Sequence, residues 1–139
     1  MSAPVVERVA VIGLGLLGGS VAAAAHARRA ARHVVGVARS RTSPAFEALR
    51  GCCDEVSTDP AAGVRGADLV VLATPIGVMG DVLRSAAPGF AEGCVVTDVG
   101  SVKGVLGETL PGLLPPGVHY VGAHPMAGSH ERGPGAARR

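Results

Sequence analysis

The chain has 139 residues and a mass of 13.8 kDa, room for one domain. Apolar residues make up 47% and charged residues 17%, the balance of a globular protein and not of a disordered one. A formal net charge of +2 and an aromatic content of 2% exclude both a strongly basic nucleic-acid footprint and a platform of rings for bases to stack on.

From the N-terminus, Arg8–Ile12 is rich in β-branched residues, stops at glycine and reads as a strand. Arg8, the apolar run Val9–Ala25 and the small-x-small ending Ala25-His26-Ala27 imitate a secretory signal. Gly13, Gly15, Gly18 and Gly19 interrupt that run, and Glu7 stands where a positive region belongs, so the signal reading is set aside. Leu16–Ala31 reads as a helix of strong helix formers, with Arg28, Arg29 and Arg32 toward its C-terminal end. His33–Ala38 is a second strand, and Pro44–Arg50 a short helix with Ser43 as N-cap. Glu55–Ser57 is a short third strand, followed by a helical turn at Pro60–Val64. Asp68–Ala73 is a continuous apolar strand that halts at Thr74-Pro75, and Val78–Ala87 fits a helix. Cys94–Asp98 is a fifth strand, Lys103–Leu114 a helix closed by Pro115-Pro116, and Val118–Val121 a sixth strand.

Strands of unbroken Val and Leu suit a sheet buried on both faces, and their alternation with helices points to βαβ units. The expected fold is α/β: one Rossmann-type, doubly wound, mostly parallel sheet with helices on both faces, occupying residues 1–139. Cys52, Cys53 and Cys94 form no CxxC pair and leave an odd thiol, so they read as reduced residues of a cytoplasmic protein, neither a disulfide frame nor a metal site. No other stretch approaches the ~20 apolar residues of a membrane span. The expected partner is a small molecule, with neither nucleic acid nor membrane.

Gly13-Leu14-Gly15-Leu16-Leu17-Gly18 fits G-x-G-x-x-G between a strand and a helix, within a unit of 30 residues from Val9 to Ala38. Gly13 permits the turn, Gly15 lets backbone approach a diphosphate, and Gly18 lets the helix close on the strand. The free N–H groups where the helix begins, at Leu16, Leu17 and Gly18, favour phosphate charge. A glycine-rich turn that merely packs helix on sheet is the plainer alternative. At the end of the second strand, NAD binders usually place a carboxylate for the ribose hydroxyls. Here Ala38 is followed by Arg39, Ser40 and Arg41, which can clamp a 2′-phosphate, so NADP is preferred and NAD stays possible.

Ligands of such sheets lie beyond the carboxyl ends of the strands. Thr74 and Pro75 follow the fourth strand there and turn the chain across the cofactor. The loop Asp98-Val99-Gly100-Ser101-Val102-Lys103 offers a hydroxyl and the only lysine of the chain, fit for an anionic or hydroxylated substrate, or simply a helix cap. His124 carries an imidazole, which can accept a proton, and is a candidate general base, with His130 a weaker candidate. His26, His33 and His119 read as structural or surface residues.

The octet at 13–20, Leu-Ala-Thr-Pro at 72–75, Thr-Asp-Val-Gly-Ser-Val-Lys at 97–103 and Gly-Ala-His-Pro-Met-Ala-Gly-Ser-His at 122–130 together resemble the prephenate/arogenate dehydrogenase family. The resemblance implies an NAD(P)-dependent oxidative decarboxylation in tyrosine biosynthesis. A hydride leaves the ring carbon bearing the 4-hydroxyl, and a histidine, mapping onto His124, takes the hydroxyl proton. The serine mapping onto Ser101 hydrogen-bonds near that hydroxyl, and Lys103 and His130 fall in the substrate-facing loops. Family members continue into a helical domain that dimerises and completes the substrate pocket, so the chain is expected to be the cofactor-binding portion of a homodimeric parent, inactive by itself. A non-catalytic NAD(P)-binding module and a dehydrogenase of the 3-hydroxyacid type remain the alternatives.

Overall fold

The computed structural model describes residues 3–100 and 103–123, apart from the side chains of Leu49 and Lys103. Among the described residues, six strands form one sheet: β1 (Val6–Ile12), β2 (Ala31–Val37), β3 (Glu55–Ser57), β4 (Leu69–Leu72), β5 (Val95–Asp98) and β6 (His119–Val121). Their order is β3-β2-β1-β4-β5-β6, and every neighbouring pair is parallel. Parallel neighbours need a crossover, which α1 (Leu16–Ala27), α2 (Pro44–Leu49), α3 (Pro60–Val64), α4 (Ile76–Ala86) and α5 (Lys103–Thr109) supply. The chain winds outward from β1 to β3, then returns to lay β4 on the other side of β1. The direction of winding therefore reverses between β1 and β4, the place where such sheets open a crevice for ligands.

Side chains alternate across the sheet, so one strand feeds two cores. Val9 and Val11 of β1 pack with Leu14, Ala22, Val34 and Cys53, a layer covered by α1 and α2. Ala10 and Ile12 of the same strand pack with Val70, Leu72, Met79, Leu83 and Leu106, under α3, α4 and α5. The buried positions of α1 are Gly18, Gly19, Ala22 and Ala23, all small, which draws that helix against the sheet.

The boundaries differ from the sequence expectation in three instructive places. The first helix ends at Ala27 instead of running to Ala31. Arg29 takes a left-handed φ of +52°, while Arg29 N donates to His26 O (3.3 Å) and Ala30 N donates to Ala25 O (3.0 Å). That pair of bonds is a Schellman closure, here without its usual glycine. Consequently β2 begins at Ala31, and Arg32 belongs to that strand, where its Nε bonds Glu7 Oε2 on β1 at 2.7 Å. The helix expected over Lys103–Leu114 stops at Thr109, and Pro111–Leu113 forms a 3-10 turn, because proline has no N–H to continue the ladder.

Candidate nucleotide-binding site

The glycine turn follows β1 at its carboxyl end. Gly13 has φ +94°, a region open to glycine, and a Cβ there would lie 2.7 Å from the Ala73 carbonyl carbon and 2.8 Å from Thr74 N. A Cβ on Gly18 would stand 1.8 Å from Gly13 O and 2.9 Å from Ala73 Cβ. These two glycines thus let the turn, the start of α1 and the end of β4 pack against one another. Gly15 is different. A Cβ there would meet nothing within 4 Å. Gly15 is also the N-cap of α1, with no side chain capping the helix and no acidic residue in the first turn. The leading N–H groups of Leu16, Leu17 and Gly18 therefore sit at the positive end of the helix beneath an open space, a setting that attracts phosphate.

Next to it, Ala38 is buried behind the end of β2, and its N–H donates to Ser57 O (2.8 Å). Ser43 Oγ donates to Ser40 O (2.8 Å) and accepts from Phe46 N (3.3 Å), so one hydroxyl caps α2 and fixes the preceding turn. Arg39, Ser40 and Arg41 lie exposed on that turn. Among the described residues neither guanidinium has a carboxylate partner, which leaves both able to take an anion.

On the other side of β1, Thr74 and Pro75 lead from β4 into α4, where Pro75 is the N-cap. Thr74 Oγ1 is buried and has no hydrogen-bond partner among the described residues. A buried hydroxyl without a partner is costly, and a ligand oxygen or amide in the crevice would satisfy it. The open space at Gly15, the uncapped helix start and this hydroxyl together fit a dinucleotide laid across the carboxyl ends of β2, β1 and β4.

The ends of β5 and β6 hold a feature the sequence reading passed over. Asp98 is fully buried; its Oδ2 accepts from Gly100 N (2.8 Å) and its Oδ1 from the Tyr120 hydroxyl (2.6 Å). Burial, then the bond to Asp98, raises the Tyr120 hydroxyl above the ordinary phenol range. The signal was a carboxylate at the same inward register as Val96 in β5, a place that demands partners. Ser101, His124 and His130, with the side chain of Lys103, lie outside the described residues, so their expected roles stay as stated from sequence.

The two buried thiols, Cys53 and Cys94, are poor nucleophiles. Burial first, then neighbouring Cys52 and Asp54, pushes Cys53 up to about 11, and burial with Asp68 pushes Cys94 up to about 11. Both stay protonated near neutral pH. Among the described residues no helix is long and apolar enough to cross a membrane.

Residues 21–139 match the family described as prephenate dehydrogenase, nucleotide-binding domain. The chain is 32% identical over 133 residues to the prephenate dehydrogenase of Bacillus subtilis, covering 95% of this chain and 36% of that protein. It is 36% identical over 132 residues to the cyclohexadienyl dehydrogenase of Zymomonas mobilis, covering 95% of this chain and 45% of the other. Among solved structures, the arogenate dehydrogenase of Synechocystis superposes with a TM-score of 0.81 at 30% identity, over 94% of this chain and 45% of that one. The prephenate dehydrogenase of A. aeolicus, in complex with hydroxyphenyl propionate and NAD+, superposes with a TM-score of 0.81 at 27% identity, over 95% and 46%. The chain thus spans less than half the length of each of these relatives. With a 3-2-1-4-5-6 parallel sheet and an open glycine turn at its switch point, the chain belongs to the prephenate dehydrogenase nucleotide-binding-domain family.

Proposed function

We propose that this chain is the nucleotide-binding portion of a cytoplasmic, homodimeric dehydrogenase that oxidatively decarboxylates prephenate or arogenate, with NADP preferred over NAD. The observation that carries the reading is the uncapped start of α1 under the open face of Gly15, in a chain of this family. A bound nicotinamide dinucleotide supplies the hydride acceptor. The chain's own residues do the rest. The N–H groups of Leu16, Leu17 and Gly18 hold the diphosphate, with Gly13 setting the turn. Arg39 and Arg41, with Ser40 between them, grip a 2′-phosphate where a carboxylate would repel it. Thr74 and Pro75 line the crevice toward the reactive end.

His124, neutral, takes the proton of the substrate 4-hydroxyl, so charge does not build on that oxygen as the hydride departs. Ser101 bonds the same hydroxyl and fixes the ring, with Lys103 and His130 facing the anionic substrate. Loss of CO2 sends its bonding electrons into the ring, which becomes aromatic, and the oxygen takes back from His124 the proton it gave up, so no separate acid is required. The parent's remaining length completes the pocket and the dimer.

The test is turnover of prephenate and arogenate by the full-length protein, read as NADPH or NADH formation, in wild type and His124→Asn. Expected is oxidation of at least one substrate, and a loss of about a hundredfold or more in kcat for the variant with nucleotide affinity nearly intact. Nucleotide binding without turnover of either substrate would instead favour a non-catalytic module.

A further inference from the structure

The carboxylate of Asp98 is buried at the end of β5, between the two segments expected to do the chemistry. It terminates β5, and its Oδ2 closes a tight turn on Gly100 N (2.8 Å), the residue immediately before Ser101. Its Oδ1 takes the Tyr120 hydroxyl at 2.6 Å from the neighbouring strand β6, four residues before His124. Gly100 leaves little slack, since a Cβ there would come within 2.6 Å of Leu106 Cδ1 and 2.9 Å of Asp98 Oδ2.

A turn of this kind needs only a local acceptor, which Asn or Ser would also supply. The cross-strand bond is the feature that a turn does not require. The chain has one tyrosine, and its hydroxyl goes to this carboxylate, which is 0% exposed. Hydrogen bonds to a charged group in a dry setting are short and directional, so they hold positions where a water-exposed contact would not.

We propose that Asp98, clamped by Tyr120, is a positioning residue that ties the turn leading into Ser101 to the strand leading into His124. This rests on the dehydrogenase reading above and assigns the bridge no contact with substrate. Loosening it lets the two segments shift independently, and a displacement of about an ångström in a catalytic group can cost up to about a hundredfold in rate.

The test compares Tyr120→Phe, Asp98→Asn and Asp98→Ala with wild type in the full-length protein. Tyr120→Phe removes a single oxygen and is expected to lower kcat about tenfold while the dissociation constant for NADPH stays within about twofold. Asp98→Asn keeps an oxygen for Gly100 N and offers an amide N–H to the Tyr120 oxygen, so it is expected to retain much more kcat than Asp98→Ala. Independently of turnover, Tyr120→Phe is expected to accelerate hydrogen exchange at the Gly100 amide, an effect carried from β6 to the turn after β5. Unchanged Gly100 exchange, unchanged kcat, or equal losses of kcat and NADPH affinity in Tyr120→Phe would each overturn the bridge. Absence of turnover in wild type would overturn the dehydrogenase reading instead, with Gly100 exchange still reporting on the bridge itself.

Discussion

Gly15→Ala separates a binding role of the glycine turn from a packing role. The backbone of Gly15, φ −86° and ψ −152°, is one alanine can adopt, and its Cβ would meet nothing within 4 Å. Alanine is a poorer N-cap than glycine by roughly 0.5–1 kcal/mol, while a stiffer unfolded chain returns roughly 0.4–1 kcal/mol. The two nearly cancel, so Tm should move by less than about 5 °C. Affinity should not be spared. A methyl group there stands where a diphosphate must approach backbone, and losing two charge-assisted N–H bonds at about 1.5 kcal/mol each amounts to about a hundredfold in Kd.

Gly18→Ala is the contrasting control. Its Cβ would lie 1.8 Å from Gly13 O, more than an ångström inside ordinary contact, against backbone that cannot step aside. That overlap should cost about 3 kcal/mol and lower Tm by roughly 10 °C, with binding lost alongside. The chain has no tryptophan, so the fluorescence of NADPH itself reports binding without a competing protein signal, and circular dichroism gives Tm. NADPH affinity retained in Gly15→Ala would refute the placement of the diphosphate on this turn.

Arg39→Asp should reverse the nucleotide preference, weakening NADPH by about tenfold or more while leaving NADH little changed; equal effects on both would contradict the 2′-phosphate assignment. Arg29→Gly should raise stability by about 0.5–1 kcal/mol, because Arg29 holds a φ of +52° that glycine adopts without strain, and a thermal melt checks it. Cys53 and Cys94 ionise near 9.0 when unfolded but near 11 when folded, so the folded chain binds more protons in that window. Their stabilisation is complete below pH about 9 and lost as pH rises toward about 11. Melting temperatures across that range should fall, and less steeply in Cys94→Ala.

Much of the fold was legible because burial wrote itself into composition: runs such as Leu69–Leu72 have no polar face to offer water, so they call for a sheet covered on both sides. The glycine turn was legible for a related reason, since Gly13 and Gly18 sit where any side chain meets backbone. The end of α1 was not, because its left-handed closure falls on Arg29, and nothing in a run of alanine and arginine distinguishes Ala27 from Ala31 as a stop. The role of Asp98 was not legible, because it depends on Tyr120, 22 residues on, reaching it across a strand pair. Local patterns carry no record of such a contact.

The most direct measurement is a crystal structure of the protein with oxidised NADP. The expected result is the diphosphate on the N–H groups of Leu16, Leu17 and Gly18, the 2′-phosphate between Arg39 and Arg41, and the nicotinamide end beyond Thr74 toward the β5 and β6 ends. A diphosphate bound elsewhere, or a nicotinamide ring turned away from the segment carrying His124, would contradict it.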